Sequence, residues 1–337
     1  MIKYIKPVSE AAAEGLVTEV YSQIKEDFGM LVEPFTLHSP SPKLLAGIWM
    51  ATRESLVTGN VRREIKEAVA ATVSRINQCP YCVDAHTIML HATSEHKVAK
   101  AISKQDDEKI QDPEIRSIVA WASATRSPGA DILRSPPFSK QDAPEIIGTA
   151  VTFHYINRMV SVLLSETPLP SNSFLLKGIL KRIAGRMFKG AVRRTKPSGL
   201  SVEFLSEAEL PKDLNWAETT PAVAGAFARW AAIVEQVGKE ILSPEVRTYV
   251  LEYIEAWSGE DPGLSRNWVE QAIGKFDEKS QAECRLALLT AIAPYQVDEV
   301  VIQRFRDYYP KDDELVGALA WSSFTAARKI GSWLSAY

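Results

Sequence analysis

Cysteine is scarce in this 337-residue sequence: there are three, too few for a fold built from cross-links. Long apolar runs are missing as well. The longest stretch without a formal charge is thirteen residues, Leu315 to Ala327, short of the roughly 20 that a bilayer-spanning helix needs. The N-terminus, Met1-Ile-Lys-Tyr-Ile-Lys-Pro7, has neither the apolar core nor the small-residue cleavage site of a secretory signal, so the expectation is a cytoplasmic protein. The net charge of −3 removes any global electrostatic case for nucleic acid as a partner. Alternating β-branched runs are absent, as are Asn-Gly and Asp-Gly hairpin turns, which argues against a sheet protein. No G-x-G-x-x-G and no P-loop occurs, and no haem, flavin, nicotinamide or metal is implied.

What is present is helical. Hydrophobic residues make up 46% and charged residues 24%, enough to bury a sizeable core, and the length suits two packed units. From Val61 to Ile76 apolar residues recur at Val61, Ile65, Ala68, Val69, Val73 and Ile76, one face of a helix. Similar stripes run through Glu145–Leu164, Ala222–Val237, Val246–Trp257, Ala282–Ile292 and Leu315–Leu334. The fold is therefore expected to be all-α.

Pro and Ser clusters punctuate the helices, and two of them, at 167–172 and 196–199, bracket a strongly basic stretch. Between Asn172 and Pro197 lie eight Lys and Arg and no acidic residue. A basic amphipathic helix can lie on an anionic membrane, or it can pack its apolar face against the two halves; the second is the favoured expectation. An internal repeat supports a division there. Cys79-Pro-Tyr-Cys-Val-Asp-Ala-His86 aligns with Ala293-Pro-Tyr-Gln-Val-Asp-Glu-Val300, and Glu145-Ile-Ile-Gly148 with Glu314-Leu-Val-Gly317. Pro113-Glu-Ile-Arg116 also matches Pro244-Glu-Val-Arg247, but in a different order. The reading is a unit over 1–165 carrying the chemistry, a basic helical linker over 166–220, and a degenerate copy over 221–337.

Two cysteines form a C-x-x-C unit, which in a cytosolic chain means redox chemistry or metal. Pro80 marks a helix start, putting Cys79 at the N-cap and Cys82 at the third helical position. A thiol there meets unpaired N–H groups and the positive end of the helix dipole, which favour the nucleophilic thiolate. The spacing also lets the two sulfurs close an intramolecular disulfide. His86 falls one turn beyond Cys82 on the same side, placed to act on it as a base. Glu67 lies twelve residues before Cys79. If the chain reverses near Asn77-Gln78, an antiparallel helix pair brings Glu67 to the depth of His86; a solvated face explains this carboxylate equally well.

A zinc site would need two further ligands, and the nearest, His86 and His91, point away from each other. Haem attachment needs His directly after the second Cys, where Val83 stands. His91 and His96 read as surface residues, His154 as a hydrogen-bonded core histidine, Cys284 as a buried small hydrophobe, and Trp230, Trp257, Trp268, Trp321 and Trp333 as core anchors.

Glu67-x11-Cys79-x2-Cys82-x3-His86 resembles the signature of the alkylhydroperoxidase D / carboxymuconolactone decarboxylase superfamily, in its peroxidase-related branch. Pro42-Lys-Leu-Leu45, Arg62-Arg-Glu-Ile65 and Phe153-His-Tyr-Ile-Asn-Arg158 resemble it too, over about residues 30–165. The resemblance implies Cys82 as the peroxide-attacking thiolate, Cys79 as the resolving thiol, and His86 with Glu67 as the proton relay. It further implies a hydroperoxide substrate, an external dithiol reductant and a homo-oligomer, although a duplicated chain can supply that interface within itself. Tyr81 stands where better-studied relatives carry a second histidine. Two other classes of reading remain: a helical scaffold with a vestigial dithiol, and a decarboxylase-like lyase.

Overall fold

A computed structural model describes residues 2–165, 188–190, 192, 194 and 196–335, so most of the basic stretch expected over 172–197 lies outside the described residues. The rest is all-α. The first half runs through α1 (Gly15–Phe28), α2 (Glu33–Thr36), α3 (Pro42–Thr52), α4 (Arg63–Ile76), α5 (Pro80–Ala92), α6 (His96–Lys104), α7 (Pro113–Ala124), α8 (Asp131–Arg134) and α9 (Ala143–Leu163). The second half contains α10 (Pro221–Ile241), α11 (Pro244–Ala256), α12 (Asn267–Ile273), α13 (Glu278–Ile292), α14 (Glu299–Arg306) and α15 (Asp312–Leu334). Among the described residues the only extended pairing is one antiparallel bridge, Ile2 with Leu164.

Every helix expected from periodicity is present. Pro opens α3, α5, α7, α10 and α11, where its missing N–H costs nothing and its fixed φ suits the first turn. One expectation needs correcting. The α4 stripe reads as a single buried face, yet every residue from Ile65 to Ser74 is buried. Helices α5, α7 and α9 all pack on α4, and its small residues Ala68, Ala70, Ala71 and Ser74 let them approach closely.

The halves join through α3 against α10 and α9 against α15. At this seam Tyr155, Phe227 and Phe324 surround Trp230, with ring centroids 4.9, 5.6 and 4.1 Å away respectively. Gly47 permits the approach, since a Cβ there would stand 2.6 Å from Trp230 Cδ1. Trp230, Trp321 and Trp257 are buried, and Trp268 and Trp333 pack partly buried on the same core.

The matched motifs occupy matched places. Glu145 and Glu314 sit in the first turns of α9 and α15, and α7 and α11, which carry the Pro-Glu-x-Arg matches, pack on α4 and α13. After the turn the two segments part. Pro80 opens the thirteen-residue α5, whereas Pro294 opens only a 3-10 turn, because Asp298 accepts from Val301 N–H and caps a new helix, α14.

A π-helical turn, Arg53–Val57, follows α3 with Arg53 and Glu54 buried. Arg53 binds Asp27 and Glu54, each at 2.8 Å, and donates to the Pro197 carbonyl at 3.1 Å. Glu54 accepts from Gly199 N–H at 2.7 Å and from the Ser201 hydroxyl at 2.6 Å. The chain entering the second half is thus anchored in the core of the first.

Candidate active site

The turn between α4 and α5 is fixed by polar contacts. Asn77 ends α4, and Gln78 takes a left-handed conformation, φ 53°, that reverses the chain. Asn77 Nδ2 donates to His154 Nδ1 and to Asn157 Oδ1, both at 3.0 Å, and Asn157 donates to Ser74 Oγ at 3.0 Å. Cys79 N–H then reaches back to the Ser74 carbonyl at 2.9 Å.

Cys79 caps α5 and Cys82 lies in its first turn, as the Pro80 signal predicts. The two are joined as a disulfide, with Cα atoms 5.4 Å apart. Both are buried, at 1% and 2% exposure. Cys82, not Cys79, lines a cavity of about 90 Å³ whose wall is mostly apolar, formed by Phe28, Val32, Phe35, Leu56, Phe153 and Ile156. His86, Tyr81 and Thr52 supply its polar groups.

The antiparallel pairing of α4 and α5 brings Glu67 to His86, and the solvated alternative for Glu67 falls away, since it is wholly buried. Its Oε2 meets His86 Nδ1 at 2.6 Å, and its Oε1 accepts from Arg63 Nε at 2.7 Å. Burial alone would raise this carboxyl, but Arg63 and His86 outweigh it and hold it below the usual range. An ionised carboxylate only accepts, so His86 donates to it from Nδ1 and its Nε2 is the ring nitrogen left for other partners. Phe153 stands edge-on to the imidazole, centroids 4.3 Å apart, and fixes its plane.

Near its whole length the chain is similar to an alkyl hydroperoxide reductase of Mycobacterium tuberculosis (strain ATCC 25618 / H37Rv). The two are 39% identical over 335 residues, covering 99% of this chain and 95% of the relative. The chain belongs to the alkylhydroperoxidase family. No family model matches it.

This alkylhydroperoxidase-family chain gathers the four residues singled out in the sequence, Cys79, Cys82, His86 and Glu67, and leaves the other candidates outside. His154 is buried in the core. It accepts from Asn77 at Nδ1 and meets Thr125 Oγ1 at 2.9 Å through Nε2, and burial lowers its pKa well below the usual value. Cys284 is buried, and burial pushes its thiol up to about 12, leaving it inert. His91, expected at the surface, is half-buried and bonds to exposed His96 at 2.8 Å.

Sequence reasoning missed three parts of the site. Arg63 was legible as an i, i+4 partner of Glu67 on one helix. Phe153 lay inside a family-like segment but carried no sign of its role. Glu33, which hydrogen-bonds Tyr81, had no signal at all; burial and then this carboxylate raise the Tyr81 hydroxyl, so that it keeps its proton. Among the described residues no helix is long and apolar enough to cross a membrane, and no three His, Cys, Asp or Glu cluster as a metal site.

Proposed function

We propose that this protein is a thiol-dependent peroxidase that reduces organic hydroperoxides through a Cys79/Cys82 dithiol–disulfide cycle. The observation that carries the reading is the union of a Cys–Cys pair, a hydrogen-bonded His86–Glu67 couple and an apolar cavity onto which one sulfur, Cys82, opens.

In the reduced protein His86 Nε2 takes the Cys82 proton, and Glu67 stabilises the imidazolium that forms. The thiolate attacks the terminal peroxide oxygen and the O–O bond breaks. The alkoxide leaves with the proton from His86 as an alcohol, and Cys82 becomes a sulfenic acid. The Cys79 sulfur attacks Cys82, a disulfide forms and water departs. An external dithiol restores both thiols by exchange, becoming a disulfide itself. Phe28, Phe35 and Phe153 around the sulfur favour an alkyl hydroperoxide over hydrogen peroxide.

The test is hydroperoxide consumption by the reduced protein with thiols counted before and after. Loss of two thiols per peroxide, abolished in Cys82→Ser, is the expected outcome. Thiols that stay unreactive toward both hydrogen peroxide and an organic hydroperoxide would refute the reading. Undiminished hydroperoxide consumption by Cys82→Ser would refute it as well.

A further inference from the structure

Behind the dithiol turn, where the halves meet, lies a second cavity with a polar wall. Asn77 and Gln78 line it from the turn into Cys79, Arg126 and Arg158 from the first half, and Asp261 and Tyr295 from the second. Arg158 is only 3% exposed, yet among the described residues its hydrogen bonds go to uncharged acceptors alone. Its Nε donates to the Ala291 carbonyl at 2.7 Å, and its Nη1 to the His154 carbonyl. Arg126 is tied in the same way, Nε and Nη2 reaching the Gly259 carbonyl at 3.2 and 2.9 Å. Nη2 of Arg158 and Nη1 of Arg126 have no hydrogen-bond partner among the described residues. Both guanidinium groups also lie by one ring, 5.8 and 6.0 Å from the Trp257 centroid.

Among the described residues the Arg158 charge is not paired. Burial, and then Arg126, bring the Arg158 pKa down to about 9. Asp261 is the one carboxylate on the wall; it accepts from the Tyr295 hydroxyl and from Gly263 N–H, and its field acts on Arg126. His154, which touches Asn77, is neutral and adds no charge. On the wall two guanidinium groups face one carboxylate; exposed Glu260 also acts on Arg126, but buried Arg158 donates to carbonyls alone, and an uncompensated buried charge is strongly destabilising.

We propose that this cavity binds one small monovalent anion, of the size of chloride, between the guanidinium groups of Arg126 and Arg158. The free space of about 20 Å³ is room for one water-sized particle, which favours a monatomic anion over phosphate or sulfate. Asp261 limits the site to a single negative charge.

Chloride itself is the probe. Thermal unfolding of the full-length protein is compared in sodium chloride and sodium gluconate at matched ionic strength. The expected result is a Tm that rises with chloride and saturates, with this chloride-specific increment lost in Arg158→Met and in Arg126→Gln. If Arg158→Met does not fold, Arg126→Gln carries the test, because Arg126 is half-buried and tolerates a change better. Crystals grown in bromide should show an anomalous peak between the two guanidinium groups. Superimposable curves in the two salts, an increment that survives Arg126→Gln, or no bromide peak in the cavity would each overturn the proposal.

Discussion

Replacing Glu67 with Gln probes the relay at its buried end. The carboxylate accepts two charge-assisted bonds, from Arg63 at 2.7 Å and from His86 at 2.6 Å. An amide has one acceptor oxygen, so its NH2 group must face one of those donors. If the oxygen stays with Arg63, the amide nitrogen faces Nδ1, and His86 must move its proton to Nε2, where it can no longer accept one. If the oxygen stays with His86, a neutral amide replaces the charge that stabilises the imidazolium. A hydrogen bond to a charged group is worth about 1.5–3 kcal/mol, and about 1.4 kcal/mol is tenfold in rate. Glu67→Gln should therefore react with an alkyl hydroperoxide about 10- to 150-fold more slowly. The assay is single-turnover oxidation of the reduced variant, with circular dichroism to establish that it is folded. A folded Glu67→Gln that reacts within about threefold of the parent would refute the relay.

Three further perturbations have definite expected outcomes. His38, its pKa brought down to about 3 by burial, and His154 are both neutral in the native state, while an unfolded histidine takes up a proton below about pH 6.5. The unfolded state then binds more protons, so stability present above pH 6.5 should fall by about 1.4 kcal/mol per pH unit for each histidine as pH drops toward 4.5. Urea midpoints measure this; a flat profile rejects it, and His38→Gln should reduce the slope. Gly47→Ala places a methyl against Trp230 and should cost about 1–3 kcal/mol by thermal denaturation; an unchanged Tm would show that the seam can open. Tyr81→Phe should leave the peroxide rate within about threefold, because the hydroxyl serves Glu33 and gives up no proton; a larger loss would place it in the relay.

The helices were legible because their apolar periods are long and Pro marks so many of their starts. The site was legible as far as it is local: Cys79, Cys82 and His86 share one helix, and its geometry follows from spacing. Glu67 was not decided by pattern. Periodicity assumes one wet face, and α4, packed on several sides, has none along its middle. The break after Pro294 was hidden for a related reason. Asp298 matches Asp84 in the alignment, but Asp84 lies inside α5 while Asp298 starts a new helix, a choice set by surroundings rather than by residue type. The Arg126–Arg158 cavity was out of reach, since its walls come from segments far apart in the chain.

The ring of Tyr155, Phe227 and Phe324 around Trp230 has a bearing on how this chain can change over time. Those side chains come from both halves, and each half completes a core that the other begins. The half without the dithiol has Ala293, Gln296 and Val300 where the first has Cys79, Cys82 and His86, while fit holds it at Phe227, Trp230 and Phe324. Drift should therefore be wide at 293–300 and narrow along the seam, and neither half is expected to persist as a gene product alone.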